Sequence, residues 1–202
     1  MHVYFAPGLH EEATFLKQVI EKTFAAEVVL VEGEKLEYFK QNDIVGGLEV
    51  QDHVGGEFEL VLTEREMYSQ GAVSKSDDYV YGYASDSGLF YFSVARLRSK
   101  GDTPVAAVEI PQAQYEARLA YTVVHELGHW LVKDQRHFQK YTYTNPETGH
   151  ENDNGWHCIN PGCLMRAVDD LAMLDTRLNE TRAFCEQCRE SLFLKSGRPL
   201  LP

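Results

Sequence analysis

The sequence predicts an α/β fold. A mixed sheet of about five strands, with one backing helix and one long amphipathic helix, is followed by a smaller C-terminal part. Three observations carry this. The chain opens with strand-like, helix-like and strand-like segments in turn. Three more runs rich in Val, Tyr and Phe follow, set apart by Gly, Ser and Asp clusters. At Gln114 the apolar period then changes to that of a helix. At 202 residues one compact domain is expected. With 44% apolar and 25% charged residues, the chain has the balance of a globular rather than a disordered protein.

Val3–Ala6 is a short apolar run ended by Pro7-Gly8, the signature of a buried strand. Glu11–Phe24 places Phe15, Leu16, Val19 and Ile20 on one helical face, with Glu11 and Glu12 in the first turn where the helix dipole favours them. Val28–Val31 is mostly β-branched and ends near Gly33. The three form a β-α-β unit, right-handed if its strands are parallel. Phe58–Thr63, Tyr79–Ala84 and Phe90–Leu97 complete the five strands. The glycine-rich stretch Asp43–Gly56 fits neither period, and Ser99–Thr103 reads as a loop. In Gln114–Val132 the residues Ala120, Val123, Val124, Leu127 and Leu131 form one stripe on a helix of about five turns. Lys133–Gly155 is rich in Tyr, Thr, Asn and Gly, without a clear period; a connection of that length is functional or mobile. Asp169–Arg182 and Glu186–Leu194 read as helices.

Charge and cysteine usage narrow the function classes. Nineteen basic against 31 acidic residues give −12. Phosphate backbones are bound through basic faces, so nucleic acid is disfavoured as a partner, and so is an anionic membrane surface. No apolar run approaches the roughly 20 residues of a spanning helix. Met1–Gly8 has no basic start followed by an apolar core and does not read as a signal peptide; a reducing, cytoplasmic compartment is expected. All four cysteines, Cys158, Cys163, Cys185 and Cys188, lie in the last 45 residues. In such a compartment clustered cysteines point to metal ahead of disulfides or free thiols. Their spacings, C-x4-C and C-x-x-C, suit a tetrahedral zinc.

His125-Glu126-Leu127-Gly128-His129 is an H-E-x-x-H motif inside the amphipathic helix. Residues four apart lie one turn apart on one face, so both imidazoles can reach one ion. Glu126 stands about 100° round the helix, within reach of a water on that ion. Zinc lowers the pKa of such a water to about 7, and the carboxylate can take its proton. The bland alternative is a solvated helix face with two incidental histidines. A catalytic zinc wants a third protein ligand. The extended pattern H-E-x-x-H-x-x-G-x-x-H fails here, because Val132 and Gln135 stand where it has Gly and His.

Further on, His157-Cys158-Ile159-Asn160-Pro161-Gly162-Cys163-Leu164-Met165 reads H-C-x4-C-x-M, followed by Cys185-Glu186-Gln187-Cys188. In this order and spacing the chain resembles the archaemetzincins, metzincin-type zinc metallopeptidases. Leu60–Thr63, Met67-Tyr68, Tyr81–Ala84 and Phe92–Leu97 are similar too. The resemblance implies that His125, His129 and His157 bind a catalytic zinc. It implies Glu126 as general base, Met165 as the Met-turn residue, and Cys158, Cys163, Cys185 and Cys188 around a structural zinc. That makes two zinc ions per chain, acting on a peptide or protein substrate that lies extended along a sheet edge. The implied architecture is one metallopeptidase domain, residues 1–202, with an N-terminal lobe over about 1–132 and a C-terminal lobe over about 157–202. Between them, at about 133–156, lies an insertion, since 27 residues separate His129 from His157 where the family pattern has five.

Within the insertion, His137 and His150 read as loop histidines ahead of ligands, and Tyr141 and Tyr143 receive no role. Trp130 and Trp156, which flank it, are expected to pack on each other. Two other function classes stay open at this point. One is a zinc-bound, non-catalytic binding protein whose cleft the insertion occludes; the other is a zinc-ribbon interaction module with an incidental H-E-x-x-H.

Overall fold

The computed structural model describes residues 1–33, 35–51, 58–75, 78–85, 87–100, 110–132, 136–144, 149, 151–180 and 183–192. In chain order its elements are β1 (His2–Phe5), α1 (His10–Phe24), β2 (Val29–Glu32), β3 (Phe39–Asn42), β4 (Gly47–Val50), β5 (Glu59–Thr63), β6 (Met67–Tyr68), β7 (Gly82–Ala84), β8 (Leu89–Ser93), α2 (Gln112–Leu131), β9 (Phe138–Thr144), β10 (Glu151–Cys158), α3 (Leu171–Glu180) and α4 (Glu186–Leu192).

The expected mixed sheet has the order β2-β1-β5-β8-β7. Its strands are parallel except β7, which runs antiparallel to β8 at the edge. Alternation along the strands shows why the sheet is covered on both sides. Leu60, Leu62, Phe90 and Phe92 point into the core that includes residues of α1 and α2. Val61, Leu89 and Tyr91 point the other way, to meet Val50 and Met67. Those two belong to a second sheet, β3-β4-β6, and the Phe39 ring stands 4.9 Å edge-on from Tyr91.

The segment over 43–56 that fitted neither period therefore supplies a strand, β4; residues 52–57 lie outside the described residues. All four residues of β4 are buried, but Gly47 and Glu49 break its apolar run, so nothing marks it in sequence. Gly47 is required there, because a Cβ would stand 2.8 Å from the Glu66 carbonyl oxygen. Two of the expected strands are shorter than read: Tyr79–Ala84 reduces to Gly82–Ala84, and the last strand ends at Ser93.

The connection after α2 is also structured. β9 and β10 form an antiparallel hairpin. Trp130 and Trp156 do not meet across it. Trp130 faces the sheet, with its ring 4.4 Å edge-on from Phe58, while Trp156 pairs in register with Lys140 and is 56% exposed.

The C-terminal elements share the main core, which runs from Val3 to Leu192. Arg118, buried in α2, ties α3 to it. Its guanidinium donates to both Asp175 carboxylate oxygens at 2.7 Å and to the carbonyls of Leu97 (3.0 Å) and Ser99 (2.7 Å). A buried charge is tolerated when its donors are satisfied in this way. Among the described residues no helix is long and apolar enough to cross a membrane.

Candidate metal centres

His125 and His129 project from adjacent turns of α2, and β10 brings His157 to the same place. The His125 Nε2 is 3.1 Å from the His129 Nε2 and 3.2 Å from the His157 Nε2. On a tetrahedral zinc with bonds of about 2.0–2.1 Å, nitrogen ligands stand about 3.3–3.4 Å apart. The fit is close.

The tautomer of His125 follows from its other nitrogen. Its Nδ1 is 2.8 Å from the Leu164 carbonyl oxygen, which can only accept, so Nδ1 carries the proton and Nε2 keeps a lone pair. The Tyr121 hydroxyl donates to the same carbonyl at 3.0 Å and helps fix it. Burial pushes His125 down to about 4 and His157 to about 3, and holds His129 well below the usual histidine range. Three neutral imidazoles crowding their nitrogens together is the donor set that a divalent cation satisfies.

His157 owes its place to the hairpin. Its register partner is Gln139, and the ladder shifts between Asp153 and Trp156. Gly155 lies in that shift at φ +77°, a conformation that glycine adopts freely. Such a bulge re-aims the side chains that follow it.

Glu126, next to His125, is half-buried, and desolvation lifts its carboxyl to about 8. The edge strand makes room for it: a Cβ on Gly82 of β7 would stand 2.7 Å from the Glu126 Cγ. Beneath the helix, a Cβ on Gly128 would overlap the sulfur of Met165, which is fully buried, and would stand 3.1 Å from the Phe184 ring. Gly128→Ala should therefore destabilise the fold by up to about 2 kcal/mol. Overpacking costs about 1–3 kcal/mol and outweighs the gain in helix propensity of about 1 kcal/mol. Urea denaturation checks this, and a stabilised variant would show that Met165 yields freely.

β10 also feeds a second cluster. Neighbouring residues on a strand point to opposite faces, so His157 and Cys158 serve different groups. The Cys158 Sγ is 3.8 Å from the Cys185 Sγ, and the Cys163 Sγ is 3.6 Å from the Cys188 Sγ; all four are free thiols. Sulfurs on a tetrahedral zinc at about 2.3 Å stand about 3.8 Å apart. Backbone amides already point at these sulfurs: Asn160 N–H at Cys158 (3.4 Å), and Met165 N–H (3.4 Å) and Cys185 N–H (3.3 Å) at Cys163. The Cys188 hydrogen bond, helped by those amides, brings Cys163 down to about 5, whereas burial pushes Cys158 up to about 12.

The structure thus brings all eight sequence-predicted site residues into two buried clusters or beside them. It adds one that the sequence reading set aside. His137 is not a solvent-loop residue: its Nε2 is 3.1 Å from the Cys188 Sγ, within 4.8 Å of the Cys158 and Cys185 sulfurs as well. No spacing rule pointed to it. His150 lies outside the described residues. Of the two tyrosines, Tyr141 stands near the histidine cluster, its ring 6.2 Å from that of His157 and its hydroxyl donating to Asp169 at 2.7 Å. The Leu164 carbonyl and Tyr121 were also missed, since a backbone oxygen leaves no mark in sequence.

No protein-family model matches the chain, and no curated protein sequence matches it. Solved structures do. They include an archaemetzincin from Methanopyrus kandleri, 18% identical over 98% of this chain and 96% of that one, with a TM-score of 0.60. An archaemetzincin from Archaeoglobus fulgidus complexed with malonate is 20% identical over 95% and 99%, with a TM-score of 0.59. A zinc-dependent peptidase from Methanocorpusculum labreanum is 17% identical over 95% and 98%, with a TM-score of 0.64. The chain has the archaemetzincin fold over nearly its whole length.

Proposed function

We propose that the chain is a zinc metallopeptidase of the archaemetzincin kind, hydrolysing peptide bonds in a peptide or protein substrate. One observation carries the reading: three neutral imidazole nitrogens converge at 3.1–3.2 Å beside the H-E-x-x-H glutamate. His125, His129 and His157 would hold the catalytic zinc, and the four cysteines a structural one. A zinc ion at the histidines supplies a polarised scissile carbonyl and an acidified water. The protein's own part falls to Glu126. Its carboxylate accepts a proton from the attacking water and returns it to the leaving amine. Desolvation raises this carboxyl's affinity for protons, and the positive charge of a zinc beside it would draw it back to the ionised form from which the shuttle starts.

The fold supports the geometry. β7 is the sheet edge nearest Glu126, as the Gly82 contact shows, and an extended peptide can lie along it. Met165 fills the space under Gly128 as a Met-turn residue would, and the turn that carries it presents the Leu164 carbonyl to His125. Residues 1–132 and 157–202 then act as one domain, with the hairpin of the 133–156 insertion beside the site. A reducing, cytoplasmic compartment keeps the thiols available for metal. The −12 charge keeps nucleic acid out of the reading.

Glu126→Gln tests this. It preserves shape and removes the base, so zinc content and melting should match the parent while cleavage of a peptide library falls by about 10² or more. Equal turnover in the variant overturns the mechanism. A two-zinc parent that cleaves nothing in the library indicates a non-catalytic binding protein instead.

A further inference from the structure

We infer that His137, at the base of the insertion hairpin, is a positioning residue for the cysteine centre. Its Nε2–H donates a hydrogen bond to the zinc-bound thiolate of Cys188. The inference rests on the four-cysteine reading above. Four thiolates on one zinc carry a net charge of −2, and these are largely buried. Such a centre needs donors around its sulfurs. Backbone amides supply them to Cys158 and Cys163. For Cys188 the donor comes from a different part of the chain, His137, at 3.1 Å.

His137, Cys158, Cys185 and Cys188 also lie within 4.8 Å of one another, so ligation by His137 is the competing arrangement, and distance favours the hydrogen bond. A sulfur and a nitrogen bound to one tetrahedral zinc stand about 3.5–3.6 Å apart. The His137–Cys188 separation is shorter than that, while the cysteine pairs, at 3.8 and 3.6 Å, match two ligands of one ion. A metal-bound thiolate can only accept, which assigns the proton to Nε2.

The placement matters because His137 and Cys158 close the same hairpin. Ile159 N–H donates to the His137 carbonyl at 3.3 Å, and Phe138 pairs with Cys158. The strand that enters the insertion is therefore held by a hydrogen bond to the centre, and the strand that leaves it by a ligand. The insertion carries its own staple, and that staple steadies the strand bearing His157.

The test uses the full-length chain, 15N-labelled and loaded with 113Cd. A sulfur-rich 113Cd resonance, separate from that of the histidine centre, is the check on the four-cysteine reading; its absence overturns that reading and, with no metal-bound thiolate left to accept, the inference with it. Given that resonance, the inference expects a slowly exchanging His137 Nε2 proton with a small coupling to cadmium across the sulfur. A direct one-bond coupling between cadmium and the His137 nitrogen, or no coupling with fast proton exchange, overturns it. Variants add an independent arm. His137→Phe should weaken zinc at the cysteine centre by about 10–100-fold in chelator competition, the range for an outer-shell partner, and His137→Gln, which keeps a donor, should recover most of it. Equal affinity in the parent and His137→Phe overturns the inference.

Discussion

Cys185→Ser is expected to lose the zinc of the cysteine centre and to lower the melting temperature by about 6–20 °C. Structural zinc contributes folding free energy directly, of order 10 kcal/mol in small zinc-dependent units. Less is at stake here, because residues from Val3 to Leu192 also share one apolar core. A loss of about 3–5 kcal/mol is reasonable, and a chain of this size loses about 2–4 °C per kcal/mol. The damage should be local. Cys158, Cys163, Cys185 and Cys188 bind the end of β10, the turn at Cys163–Arg166 and the start of α4, while α2 is held by Arg118 and by the sheet. Amide exchange should therefore rise in residues 157–166 and 183–192 and stay slow in α2. A second effect follows from the turn. The Leu164 carbonyl that fixes His125 lies between Cys163 and Met165, so loosening the turn should also weaken the histidine centre. A variant that melts like the parent and still holds two zincs per chain would remove the cysteines from any structural role.

The sequence was informative wherever one face of an element is apolar. The apolar runs Leu60-Val61-Leu62 and Phe90-Tyr91-Phe92 and the helical stripe Val123, Val124, Leu127 and Leu131 announced the sheet and the long helix α2, because a strand buried on both faces is apolar throughout and a helix buried on one side carries a stripe. It was silent where that contrast is missing. β4 is interrupted by Gly47 and a buried Glu49, and β9, with its Lys, Tyr and Thr residues, is largely exposed, so neither shows an apolar run or alternation. The site divides in the same way. H-E-x-x-H and the C-x4-C and C-x-x-C pairs are local spacings that bring each set of side chains close together. His137 meets Cys188 across 51 positions and the Leu164 carbonyl meets His125 across 39, and only the closed fold brings them together.

His157→Ala should abolish hydrolysis and lose the histidine-centre zinc while retaining the cysteine-centre zinc. His157 is 28 positions beyond His129, so no local rule forces it into the site. What forces it is the hairpin: register with Gln139, the bulge at Gly155, and Cys158 on the opposite face. The removed ring leaves two imidazoles, and among the described residues no other histidine or cysteine joins that cluster. Even outer-shell partners of a metal are worth 10–100-fold in affinity, so loss of a ligand should exceed 10²-fold. The control is His137→Ala. Its Nε2 faces Cys188 rather than the histidine cluster, so it should keep the histidine-centre zinc and most of the hydrolysis. Metal analysis after brief exposure to a weak chelator separates the two variants, since the histidine centre empties in His157→Ala and stays filled in His137→Ala. If His137→Ala empties the histidine centre and His157→Ala leaves it filled, the chain turns out of α2 early, and the insertion then follows the third ligand. The extended exit at Val132, φ −74° and ψ 105°, argues against that early turn, because a residue with this geometry carries the chain away from the helix instead of folding it back.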